Sequence, residues 1–191
     1  DFTLDFFKDI LSRDDLKSIF ISMIRDFDKF KKVLPSLEAC LTTQEIGEIL
    51  TSKQNLMLDL IKHPNEDLTE ILLSWISWNC PDIQKILGNF DSDRRLPLHN
   101  ALVFSYTQKE ISFRTFNCIF EVYQRTFTKE ALLSFITAKI DMFKMKNLLY
   151  LAINAGKEFL KVILTWIEEN FNEKEVRNVV NDDPLLSFTI K

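Results

Sequence analysis

His63 and His99 are the two histidines of this 191-residue chain, and Cys40, Cys80 and Cys118 its three cysteines. Any Cys/His nucleophile or soft-metal site must be drawn from these five. A catalytic thiolate needs an imidazole positioned to take its proton, and zinc takes Cys and His ligands at short spacings. The chain has no Cys-x-x-Cys pair, and its cysteines lie 40 and 38 residues apart, which suits small buried side chains recurring once per structural unit. His63 precedes Pro64 and Asn65 in a turn sequence and is expected in solvent. With 3 glycines in all, phosphate cradles of the Gly-rich kind are excluded, and no nucleophile-elbow or zincin motif occurs. Glu168, Glu169, Glu173 and Glu175 form an acidic cluster without the tight glycine turn of a calcium loop, and are expected at a solvated helix end. No catalytic, cofactor-binding or metal-binding residue is therefore expected.

The tryptophans pose the opposite question. Trp75 and Trp166 stand at matching places in two related segments and are expected in the core, Trp166→Ala and Trp75→Ala each being costly. Trp78 has Glu169 at the matching place, so it either packs on Pro81 and Ile83 or is an exposed anchor for a partner.

The elements that position these residues are helices. Leu68, Ile71, Leu72, Trp75 and Ile76 follow helical spacing, as do Phe159, Val162, Ile163, Trp166 and Ile167. A shift of 91 residues lays Asn55 to Asn79 over Lys146 to Asn170 without a gap, matching Leu73/Leu164, Trp75/Trp166 and Ile76/Ile167. Asp14 to Ile24 is a further copy of Glu66 to Ile76, and Leu96 to Leu102 and Pro184 to Ile190 open two more. The helix of the copy at Leu96 falls around Phe113 to Tyr123, in a register the sequence leaves open.

Between copies recurs a short helix start, at Thr42 to Leu50, Cys80 to Leu87, Phe127 to Ile136 and Phe171 to Val180. Thr42 with Glu45 and Asn172 with Glu175 have the spacing of a capping box, in which each side chain accepts the other residue's backbone N–H. Each unit thus reads as helix, helix, shorter helix, with first helices starting near Phe2, Leu56, Pro97, Leu148 and Pro184. One such unit cannot bury its own apolar faces, so the expectation is an all-α helical repeat solenoid. It forms a single array over 1–191, with units at about 1–54, 55–94, 95–145 and 146–182 and a partial unit at 183–191, in a chain that reads as a piece of a longer protein.

Leu96, Pro97, Leu98, His99 and Ala101 resemble the T-P-L-H-x-A turn that opens an ankyrin repeat, and Asn154 to Leu164 resembles the second-helix block of that family with one residue deleted. The resemblance implies a structural role for His99, whose ring can bond the loop backbone, and irregular ankyrin-like repeats carrying an extra helix. HEAT-like or tetratricopeptide-like packing is the alternative. The loop before the turn is Asp91-Ser92-Asp93-Arg94, with Arg94 where the family has a glycine.

A non-catalytic protein-binding scaffold is the function this implies, with another protein as partner and a contact face of loops and first helices: Asp93, Arg94, Arg95, Asn100 and Phe104, together with Trp78. The alternative is a docking or regulatory segment of a larger enzyme or secreted effector. A net charge of −4 argues against nucleic acid. Arg25, Lys29, Lys31 and Lys32 beside Phe27 and Phe30 follow helix spacing, with the basic residues solvated. No apolar run approaches the roughly 20 residues of a membrane helix, and three scattered cysteines suit an intracellular, cytoplasmic setting.

Overall fold

The computed structural model describes residues 12–23, 26, 28–29, 31–32, 35, 41–45, 66–80, 83–88, 95–108, 113–138 and 147–175. Every regular element among them is an α-helix: α1 (Arg13–Met23), α2 (Glu66–Asn79), α3 (Ile83–Gly88), α4 (Pro97–Gln108), α5 (Phe113–Thr126), α6 (Lys129–Thr137), α7 (Leu148–Ala155) and α8 (Lys157–Asn170). The chain divides into two compact units, Asp1–Asn89 and Phe90–Lys191. Helices begin at Pro97 and Leu148, two of the starts expected of first helices; the starts expected at Phe2, Leu56 and Pro184 lie outside the described residues.

In the first unit, α1 opens on a reciprocal cap: the Ser12 N–H donates to Asp15 Oδ2 at 3.0 Å and the Asp15 N–H to Ser12 Oγ at 3.2 Å. The Ser12 hydroxyl and N–H also hold the Asp15 carboxyl below the usual carboxylate range. The Thr42 N–H donates to Glu45 Oε2 at 2.9 Å and the Glu45 N–H to Thr42 Oγ1 at 3.2 Å, the box its spacing predicts. α2 turns Leu72, Leu73 and Ile76 inward, and α3 buries Ile86 and Leu87.

In the second unit α4 packs on α5 and α7, α7 on α6 and α8, and α5 on α6 and α8. Phe113 and Phe116 lie 5.5 and 5.3 Å from Phe159, and Phe120 lies 6.0 Å from Trp166, so α5 and α8 run parallel, start beside start. These contacts fix how the helix around Phe113 to Tyr123 lies on α8. Tyr123, Phe127 and Phe135 tie α5 to α6 through ring contacts of 5.0 to 6.3 Å. Lys129, at the start of α6, donates to the Asn170 carbonyl at 3.5 Å and lies 5.5 Å from the centre of the Phe171 ring, placing a cation at the negative end of α8.

Local signals fix the ends of these helices. Thr128 caps α6 by accepting the Ala131 N–H, and Asn147 caps α7 by accepting the Tyr150 N–H. Gly156 alone separates α7 from α8 and takes φ 143 and ψ 163, a conformation essentially reserved for glycine. After α8, Asn172 and Glu175 exchange hydrogen bonds of 2.8 and 3.1 Å, the second box read from the sequence.

The paired burial expected of Leu73, Trp75, Leu164 and Trp166 is met in part. Leu73 and Trp166 are buried, while Trp75 and Leu164 are half-buried. The positions buried in both helices are Leu72 with Ile163 and Ile76 with Ile167, one turn apart on the inward stripe.

Candidate functional site

The turn from Arg95 to Asn100 carries the family-like signature, and its geometry follows from its residues. Pro97 occupies the first turn of α4, where its missing N–H costs nothing. The Leu96 N–H donates to His99 Nδ1 at 3.3 Å, so the His99 ring reaches back to the cap as the acid of a capping box would. An Nδ1 that accepts must be unprotonated, so this ring is neutral with its proton on Nε2. One residue into the helix, the Leu98 backbone N–H bonds the buried Tyr123 hydroxyl. Two of the donors that a helix start leaves open are thus met by side chains. Burial pushes the Tyr123 hydroxyl far above its ordinary value, because the phenolate would lose its solvation.

His99 is therefore a strut of the turn, buried beside Leu96 and Leu98. His63 and Cys40 lie outside the described residues. Cys80 is buried, Cys118 is half-buried, and neither is in a disulfide. Among the described residues no three His, Cys, Asp or Glu side chains converge in a way that could hold a metal ion. No helix of the described residues is long and apolar enough to cross a membrane.

Of the residues expected to face a partner, Asp93 and Arg94 lie outside the described residues. Arg95, Asn100 and Phe104 sit inside, at 7%, 2% and 9% exposure. The physical reason is that α4 buries every residue from Arg95 to Ser105 and presents no open face over that stretch. Side chains so enclosed offer a partner little area, and their place is in the packing of α4. Trp78 is different: it is 80% exposed near the end of α2, which decides between its two readings in favour of an exposed side chain. Of the basic group weighed for nucleic acid, Lys29 is paired with Asp26 at 2.6 Å, and Lys31 and Lys32 are exposed.

A groove of about 450 Å³ between α5 and α8 was not singled out by sequence reasoning. Phe113, Val162 and Trp166 line it, with Glu158, Lys161 and Glu169. The available signal was the run Glu158, Lys161, Thr165, Glu169, whose steps of three and four residues put them on one stripe of α8.

In comparisons with known proteins, no family model, curated protein or solved structure matches the chain.

Proposed function

We propose that this chain is a non-catalytic protein-binding module built from irregular ankyrin-like helical repeats. The observation that carries the reading is the correspondence of α2, α5 and α8. Each is 14 residues long. Each buries its seventh residue, Leu72, Ile119 or Ile163, and its eleventh, Ile76, Tyr123 or Ile167. Each is followed closely by a short helix start, at Ile83, Lys129 or Glu173. The pairing of α4 with α7 and of α5 with α8 supports stacking of like on like, as a repeat array requires. The Leu96–His99 hydrogen bond at the Pro97 turn supports the ankyrin-like form of the unit.

Such an array offers a partner its loops and outer helix faces. Trp78 is the exposed aromatic anchor, and Asp93 and Arg94 are separate charged candidates that the sequence nominates. The free energy of such contacts concentrates in a few large side chains, Trp and Arg foremost. An intracellular, cytoplasmic setting goes with this reading, and the cysteines Cys80 and Cys118, outside any disulfide, support it.

The test is capture of the binding protein on the immobilised chain, followed by titration calorimetry with Trp78→Ala and Arg94→Ala. Either substitution should weaken the complex about tenfold, equivalent to about 1.4 kcal/mol. For Trp78→Ala the unfolding midpoint should not move. Retention of full affinity by both variants would place the contact elsewhere, and failure to capture any protein would remove the reading.

A further inference from the structure

We infer that the groove between α5 and α8 receives a partner segment presenting an arginine or lysine side chain beside an apolar one. The inference rests on the reading of the chain as a binding module and names the chemistry of one partner surface.

The groove volume of about 450 Å³ suits one or two large side chains. Its apolar lining is Phe113, Val162 and Trp166, with the Phe113 and Phe159 rings edge to face at 5.5 Å and Trp166 held by Phe120 and Phe171 at 6.0 and 5.7 Å. These aromatics are fixed by their neighbours, so a ligand need not order them.

The charges decide the occupant. Glu158, Lys161 and Glu169 line the groove, and none of them makes a hydrogen bond or ion pair among the described residues. One cation against two carboxylates leaves a surplus negative charge, and Lys161 stands one turn from Glu158, eight residues short of Glu169. The surplus therefore lies at the Glu169 end. Glu158 is in the first turn of α8, where the helix dipole favours an acid, whereas the last turn carries Glu168 and Glu169 and no base of its own; Lys129 of α6 stands beyond it, on the Asn170 carbonyl and over the Phe171 ring, and is not among the groove's lining residues. A carboxylate above a half-buried apolar side chain suits a cationic one: the aliphatic stem covers Val162 and the small exposed edge of the otherwise buried Trp166, and the head reaches Glu169. Along the helix Glu158 and Glu169 are about 16 Å apart, the reach of about five extended residues. An apolar neighbour of the basic residue would then fall toward Phe113.

A random heptapeptide display library selected on the immobilised full chain tests this. Enriched sequences should pair Arg or Lys with an aliphatic or aromatic residue. A synthetic peptide of the enriched sequence should bind Glu169→Lys about tenfold more weakly and Lys161→Glu more tightly. Both positions are exposed, so both variants should keep the helical circular dichroism and unfolding midpoint of the parent. No enrichment, enrichment without a basic residue, or full affinity for Glu169→Lys overturns the inference. A captured partner lost with Trp78→Ala but retained by Glu169→Lys also overturns it and leaves the module reading standing. Charge-dependent peptide binding without any captured partner supports the groove and counts against the module reading alone.

Discussion

Replacing Gly156 by alanine tests the α7–α8 hairpin at its narrowest point. At φ 143 and ψ 163 the backbone is in a region that residues with a Cβ essentially do not enter, and holding one there costs about 1–3 kcal/mol. Alanine also restricts the unfolded chain, which returns about 0.4–1 kcal/mol. The net expectation is a loss of about 1–2 kcal/mol. Space is not the issue, because a Cβ at Gly156 would meet Phe159 Cδ2 at 3.7 Å, an ordinary contact. Serine should therefore cost about as much as alanine. Urea unfolding of the full chain followed by circular dichroism would read the effect as a lower midpoint with an unchanged slope. An unchanged midpoint for Gly156→Ala would show that the turn is not built as described. A loss that grows steeply from alanine to serine would show that crowding, not backbone strain, governs the position.

Three further substitutions address the interiors of the two units, Trp75 in the first and Trp166 and Tyr123 in the second. Trp166→Ala removes the partner of Phe120 and Phe171 and should cost about 3–5 kcal/mol in urea unfolding; Trp75→Ala, at a half-buried position, should cost less. Tyr123 is an acid raised by folding, so its contribution is complete below the ordinary tyrosine value of about 10 and is lost as pH rises above it, by up to about 1.4 kcal/mol per pH unit. Tyr123→Phe should flatten that alkaline loss between pH 9 and 11. At neutral pH it should cost about 1–3 kcal/mol, because the Leu98 N–H loses its acceptor; equal alkaline slopes in the two proteins would contradict the buried hydroxyl.

Local chemistry was the part of this fold most legible in the sequence. The boxes at Thr42/Glu45 and Asn172/Glu175 form as their spacing predicts, because a cap is decided by residues three apart. Pro97 and the glycine of the Ala155–Gly156 turn likewise mark a helix start and a helix break. The register around Phe113 to Tyr123 was not legible, because Phe, Ile, Val and Tyr there resemble no other copy residue by residue. The contacts of Phe113 and Phe116 with Phe159 and of Phe120 with Trp166 show how α5 lies on α8. The burial of Arg95, Asn100 and Phe104, expected on a loop and first-helix face, was not legible either. Arg95 and Asn100 are polar, and polarity places a residue in solvent by default. On α4 the packing overrides that default, since Leu98, Ala101, Leu102, Val103 and Phe104 are buried around the same helix.

Setting the three 14-residue helices side by side separates what holds them from what they offer. At the seventh and eleventh places the residues are large and buried in every case, as packing requires. At the second place stand Asp67, Arg114 and Glu158, at the ninth Ser74, Glu121 and Thr165, and at the thirteenth Trp78, Arg125 and Glu169, all exposed. Arg125 is engaged with Glu121 at 3.6 Å, an exposed pair one turn apart that contributes little to stability. Core packing does not dictate an aromatic, a cation and an anion at one exposed position. Trp78 and Glu169 thus hold the same place along helices of equal length, and that exposed place can change its chemistry from helix to helix without disturbing the buried seventh and eleventh. α4, by contrast, is enclosed through Ser105 and packs on α5 and α7, so its part in the second unit is to fill the core rather than to present a face.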